Sequence, residues 1–220
     1  MLCQNVKSNY VAELDFWKFV FSILIVFSHG IFLANTEAGD RLVFGGALMG
    51  VEFYFLLTGF FLVNSIYRSD VSTLTFIKRR VLNLLPYFIY AFLFCAAVWF
   101  ADQIFFQHLG RWQLFAKSLN GIWDFLWLGS SGVATSGING TWWFLSTMLF
   151  VEWTMYPLIK HKERLFVSYI GPLAFFLLLG FISGTFGRLS AREMIGFIKS
   201  DNLRGFLDII AGALLFYVVY

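Results

Sequence analysis

Long apolar runs alternate with short polar connections along the whole chain, at 16–34, 42–67, 84–101, 141–159, 165–183 and 205–220. Most are near the ~20 residues that an α-helix needs to cross a bilayer. The pattern predicts an all-α fold, a polytopic transmembrane helix bundle with about six spans. The last run is still apolar at Tyr220, so the chain reads as cut off inside a bundle. The connection 105–140 is long and partly apolar, with Trp112, Trp123, Phe125 and Trp127 ahead of a Gly/Ser-rich stretch, GSSGVATSGING. It is too interrupted for a span and is predicted to be an interfacial or re-entrant segment on the outer face. Such a loop either covers an acceptor site or is a plain aromatic membrane-surface segment. No internal repeat is evident, and the inverted halves of many transporters are not visible.

Composition agrees with this pattern: 59% of residues are hydrophobic and 13% charged, too few charges for a water-facing surface. The net charge of +3 is small and scattered, which excludes a nucleic-acid footprint. The cations instead mark topology. Arg68, Lys78, Arg79 and Arg80 lie between the second and third runs, and Lys160, Lys162 and Arg164 between the fourth and fifth. By the positive-inside rule these connections and the N-terminus are cytoplasmic. The stretch 184–204 opposes that score by placing Arg188, Arg192, Lys199 and Arg204 outside. Cys3 and Cys95 form neither a disulfide framework nor a metal-ligand spacing and read as buried filler. The stretch 19–36 imitates a signal peptide, but it lacks a small-residue cleavage site and is followed by further runs, so it reads as a retained first helix.

Against this apolar background a few polar residues are candidates for chemistry, because an ionisable group within a span is costly. Lys18 and His29, eleven residues apart, return to within about 20° of each other on a helix, roughly 16 Å apart along its axis. Lys18 is either a contact for an anion or a lysine snorkelling to the headgroups. His29 can take a proton from a hydroxyl and return it to a leaving group, the alternative being a hydrogen-bonded packing histidine. Glu52 lies at a depth within ~6 Å of His29. If the first two helices are neighbours, its carboxylate could orient the imidazole; otherwise it pairs structurally. Gly46 and Gly50 form a small-residue face for close helix packing. Arg79 and Arg80 suit phosphate contacts, although topology alone also accounts for them. Trp142 and Trp143 are placed for an interfacial belt, with Trp143 also a candidate lining residue. Glu152 and Asp208 are further buried carboxylates, and Glu152 is a candidate to line a cavity. No metal-ligand spacing, phosphate loop or serine elbow occurs.

Four stretches in order, LDFWKFVFSILIVFSH, GVEFYFLLTGFFL, FIKRRVLNLLPYF and NGTWWFL, together resemble the N-terminal part of the acyltransferase-3 family of integral-membrane O-acyltransferases. The resemblance implies a bundle of about ten spans of about 20 residues each, of which 1–220 is an acyltransferase-3-like transmembrane domain incomplete at its C-terminus. It implies transfer of an acyl group, acetyl from acetyl-CoA, to a hydroxyl of a cell-surface or exported glycan. The setting would be a bacterial-type cytoplasmic (inner) membrane, with no tightly bound cofactor. Lys18 and His29 occupy the positions of the family's first-helix arginine and catalytic histidine, lysine replacing arginine. Glu52 matches an acidic position of the second helix, and Arg79 and Arg80 the cytoplasmic basic motif. Thr58 stands where serine is common, Asn83 replaces a frequent arginine and Met148 a frequent glutamate. In this reading His29, oriented by Glu52, is the general base, and Lys18, Arg79 and Arg80 attract the donor. The alternative is a secondary transporter or glycan flippase in which His29, Glu52 and Glu152 bind protons or substrate.

Overall fold

The computed structural model describes residues 12–33, 48–108, 110–129, 142–187, 193–196 and 198–220. It consists of helices α1 (Ala12–Leu33), α2 (Leu48–Arg68), α3 (Thr73–Phe105), α4 (Arg111–Phe125), α5 (Trp143–Leu165), α6 (Gly171–Phe186) and α7 (Ser200–Val219). A π-helical turn, Phe166–Ile170, joins α5 to α6, and a two-residue antiparallel ladder, Met194–Ile195 with Ile198–Lys199, precedes α7. The fold is an all-α membrane bundle.

Among the described residues four helical stretches are long and apolar enough to cross a membrane: Met49–Arg68, Thr73–Phe105, Trp143–Phe186 and Ser200–Val219. That is fewer than the six predicted. The runs at 141–159 and 165–183 fall within the third of these stretches, which has 44 residues. Straight, it would be about 66 Å long, roughly twice the hydrocarbon thickness. It bends where Lys162 leaves helical geometry (φ −134°, ψ 38°), and α6 then starts against Leu214, far along α7. The run at 16–34 falls in α1, whose last side chains lie outside the described residues.

The centre of the bundle is the pair α2/α7. The two run parallel, with Glu52 on Arg204 near their beginnings and Tyr67 stacked on Phe216 near their ends. Their backbones touch because glycine stands at both crossing points. A Cβ at Gly59 would run into the Ile209 carbonyl, and one at Gly212 into that of Leu56. Gly212→Ala is therefore expected to push the helices apart and cost about 1–3 kcal/mol, read as a lower midpoint of thermal unfolding in detergent. On the α1 side, Gly50 leaves room for Phe21 and Ile25, and Phe21 packs on Phe53. The packing reading of Gly50 thus holds, while Gly46 lies outside the described residues.

Helix α5 lies parallel to α2 and α7, through Thr147 on Asn202 and Glu163 on Tyr67; α3 is antiparallel to it. Ser72 caps α3 by accepting from the Thr75 N–H at 3.3 Å. The same turn is tied to the end of α5. Lys160 Nζ donates to the Val71 carbonyl (2.6 Å) and to Asp70 (2.7 Å), and the Tyr156 hydroxyl donates to Val71 (3.0 Å). The ammonium of Lys160, by hydrogen bond and charge, holds Asp70 below the usual aspartate value. A depressed pKa stabilises the fold fully above the unfolded aspartate value, about 3.9, and the contribution is lost as pH falls through the lower folded one. The unfolding midpoint of Asp70→Asn should therefore lie below that of the parent at neutral pH and converge with it in acid.

Helix α4 presents Trp112, Phe115, Leu119 and Ile122 outward, spaced by three and four residues and so on one face. An outward apolar face of this kind is what a helix lying in a membrane interface presents. Residues 130–141 lie outside the described residues.

Candidate active site

The end of the bundle that holds Glu52, Trp143 and Ser200 is here termed upper, and the end with Arg68, Arg79 and Lys160 lower. Helix α1 is antiparallel to α2: Lys18 lies over the Phe61 ring at 5.6 Å, and Ile25 approaches Gly50. Helix α1 therefore carries His29 toward the upper end, one turn beyond the Gly50 contact. The His29 side chain lies outside the described residues.

Lys18 donates to Asp15 at 2.9 Å, and its backbone carbonyl accepts from the Tyr54 hydroxyl at 2.6 Å. Its described side-chain partners are thus Asp15 and Phe61, neither of them on α3. Arg79 is exposed at the lower end, beside exposed Arg68 and Lys78. Arg80 is turned inward. Its Nε lies 3.1 Å from both Glu152 oxygens and its Nη2 2.8 Å from Oε1. Glu152 is 0% exposed and Arg80 36%. The expectation that Glu152 lines a cavity is therefore corrected: it is sealed in the core by Arg80. Arg80 in turn spends its charge on a helix partner rather than offering it freely to a donor.

The two tryptophans are also corrected. Trp142 packs between Phe88 and Phe92, and Trp143 lies on Phe55, which is 0% exposed; both indoles are buried. The interfacial role fails because antiparallel α3 and the first turns of α2 cover them. Trp143 belongs to the hydrophobic core.

Glu52 has the most informative surroundings. Helices α1 and α2 are neighbours, as a His29–Glu52 pair requires. The residues of α2 that meet α1, however, are Gly50, Phe53 and Tyr54. At about 100° per residue Glu52 points roughly 160° away from Gly50, toward α7. There Arg204 Nη2 donates to its Oε1 at 2.9 Å, across 152 residues of sequence. Arg204 is 4% exposed and Glu52 29%. Sequence reasoning counted Arg204 among loop cations; the structure places it inside α7, one turn before Asp208. A signal was present: Arg204 and Asp208 are four residues apart, an i, i+4 pair on one helix face.

The polar residues at the upper ends of α5 and α7 are buried too. Thr147 Oγ1 donates to Asn202 Oδ1 at 3.1 Å, and Gly205 leaves the space that the Thr147 methyl fills. Lys199 donates to the Gly129 carbonyl at 2.6 Å, tying the ladder to the segment after α4. Among the described residues no group of three or more His, Cys, Asp or Glu is placed to hold a metal.

A bundle of this kind, with carboxylate–guanidinium pairs inside its apolar helices and an imidazole-bearing first helix, defines a multi-pass membrane protein with ion pairs set in an apolar core. A family model described as an acyltransferase domain, of the acyltransferase-3 type, matches residues 11–219. The chain belongs to the acyltransferase-3 family, and is a membrane acyltransferase. No curated protein and no solved structure matches it.

Proposed function

We propose that the protein transfers acetyl from acetyl-CoA to a hydroxyl of a cell-surface or exported glycan, with His29 as general base. In the net transfer the acetyl carbonyl carbon loses its bond to the CoA sulfur and gains one to the acceptor oxygen. The imidazole takes the hydroxyl proton and gives it up again, and one proton ends on the CoA thiol. The observation that carries this reading is the family match over 11–219, which includes the first helix with Lys18 and His29. Glu52 is a partly accessible carboxylate at the same end of the bundle, on the side of α2 that faces α7 rather than α1. Arg79, exposed at the other end, suits the phosphates of the donor.

In this reading the lower end and the N-terminus are cytoplasmic, and the membrane is the bacterial-type cytoplasmic (inner) membrane. Burial of Arg204 against Glu52 supports that orientation, because it takes one cation out of the loop stretch that opposed it. Mass spectrometry of surface glycan from cells with and without the intact gene tests the proposal. Loss of an acetyl mass on deletion is expected. Unchanged acetylation with loss of glycan export would show a transporter instead.

A further inference from the structure

The Glu52–Arg204 contact joins a residue proposed for chemistry to one that has no part in it so far. Resting on the reading of Glu52 given above, we propose that Arg204 is a positioning residue for acyl transfer, holding the Glu52 carboxylate in a set place inside the membrane.

The exposures of the two partners are unequal, and that inequality carries the argument. Arg204 is 4% exposed and Glu52 29%, so the pair shows its surroundings a carboxylate and hides its guanidinium. The order is the reverse of that in the Arg80–Glu152 clasp, where the guanidinium is the open member and the carboxylate the hidden one. The mount is rigid: α2 and α7 are in backbone contact at Gly59 and Gly212, about two turns beyond the pair. The distance between the two side-chain roots is thereby fixed by main-chain packing rather than by flexible side chains. Gly205, next to Arg204, lets α5 close over the same region through Thr147, with Phe55 of α2 beside it. In so apolar a setting an ionised carboxylate is tolerable only beside an opposite charge. Asp208 sharpens the need. It lies one turn further along α7, four residues from Arg204 and so on the same helix face, so removing the guanidinium would leave that region with two carboxylates and without its arginine. Arginine also presents its donors in a planar fork, whereas lysine offers a point charge on a flexible stem.

The test uses the whole protein in membranes, with labelled acetyl-CoA as donor and acetyl incorporation into surface glycan as readout. Arg204→Gln is expected to lower kcat by about 100-fold, as for a group displaced by about an ångström, with KM for acetyl-CoA unchanged. Arg204→Lys should recover part of the loss. The exchange Glu52→Arg/Arg204→Glu should restore the unfolding midpoint lost by either single variant but not the activity, because the carboxylate then sits at the hidden position. Activity restored together with stability would make the pair a simple clasp and overturn the proposal. If the exchanged protein fails to accumulate, the kinetic split decides, and a higher KM at unchanged kcat overturns the proposal. Glu52→Gln separates the two levels. Full activity in it removes the role of Glu52 and the inference with it. An inactive Glu52→Gln beside a fully active Arg204→Gln removes the inference alone.

Discussion

Arg80→Met is expected to destabilise the bundle by about 3–5 kcal/mol, the usual consequence of leaving a buried charge without its partner. Glu152 is 0% exposed and receives three close contacts from the Arg80 guanidinium. With methionine at position 80, the carboxylate must either stay charged in an apolar core or take up a proton. The reverse variant should be milder. Arg80 is 36% exposed and sits near the lower end of α3, so in Glu152→Leu its long stem can carry the charge toward the headgroups. The double variant Arg80→Met/Glu152→Leu, apolar on both sides, should return close to the parent, since replacing a buried pair by packed apolar groups is often neutral. Thermal unfolding of the four proteins in one detergent measures this cycle. The double variant also isolates chemistry from stability. If it is stable and its KM for acetyl-CoA is unchanged, Arg80 acts only as the anchor of α3 on α5, and donor attraction falls to Arg79.

His29→Ala is expected to lower acetyl transfer by about 10²–10⁴-fold, the span attributed to a positioned general base. Helix α1 is held to α2 below that residue, by Phe21 on Phe53, Ile25 on Gly50 and the Tyr54 hydroxyl on the Lys18 carbonyl. The substitution therefore leaves the anchoring contacts intact, and membrane abundance and unfolding midpoint should match the parent. Labelled acetyl incorporation, normalised to protein in the membrane, gives the comparison. Activity equal to the parent would exclude the imidazole as base. Lys18→Ala should lose less, because Lys18 contacts Asp15 and Phe61 rather than the residues at either proposed substrate end.

Apolar runs in the sequence located the helices but not their limits. The third run begins at 84 in the sequence, yet α3 starts at Thr73. Its first turns, with Lys78, Arg79 and Arg80, are polar enough to read as a loop, although Ser72 caps them and Phe76 stacks on Tyr156 at 4.3 Å. The same shortfall hid Arg204. A polar first turn of α7 is indistinguishable by composition from the loop before it, and only the packing of α2 against α7 shows that the turn is buried. Trp142 and Trp143 failed for a related reason, since aromatic residues before an apolar run suit an interface and a core equally well until the covering helices are known.

From the sequence alone came the all-α membrane class, the order of the long apolar helices and the family resemblance. These depend on local composition and on short motifs met in a set order along the chain. The tertiary structure alone decided the partners of the charges: Arg80 with Glu152, Arg204 with Glu52, Lys160 with Asp70. Each pair joins different parts of the chain, and for α2 against α7 the faces that meet are those where Gly59 and Gly212 let the backbones touch. One-dimensional spacing places Glu52 at the depth of His29, but the direction in which it points follows from the rotation of α2 between α1 and α7.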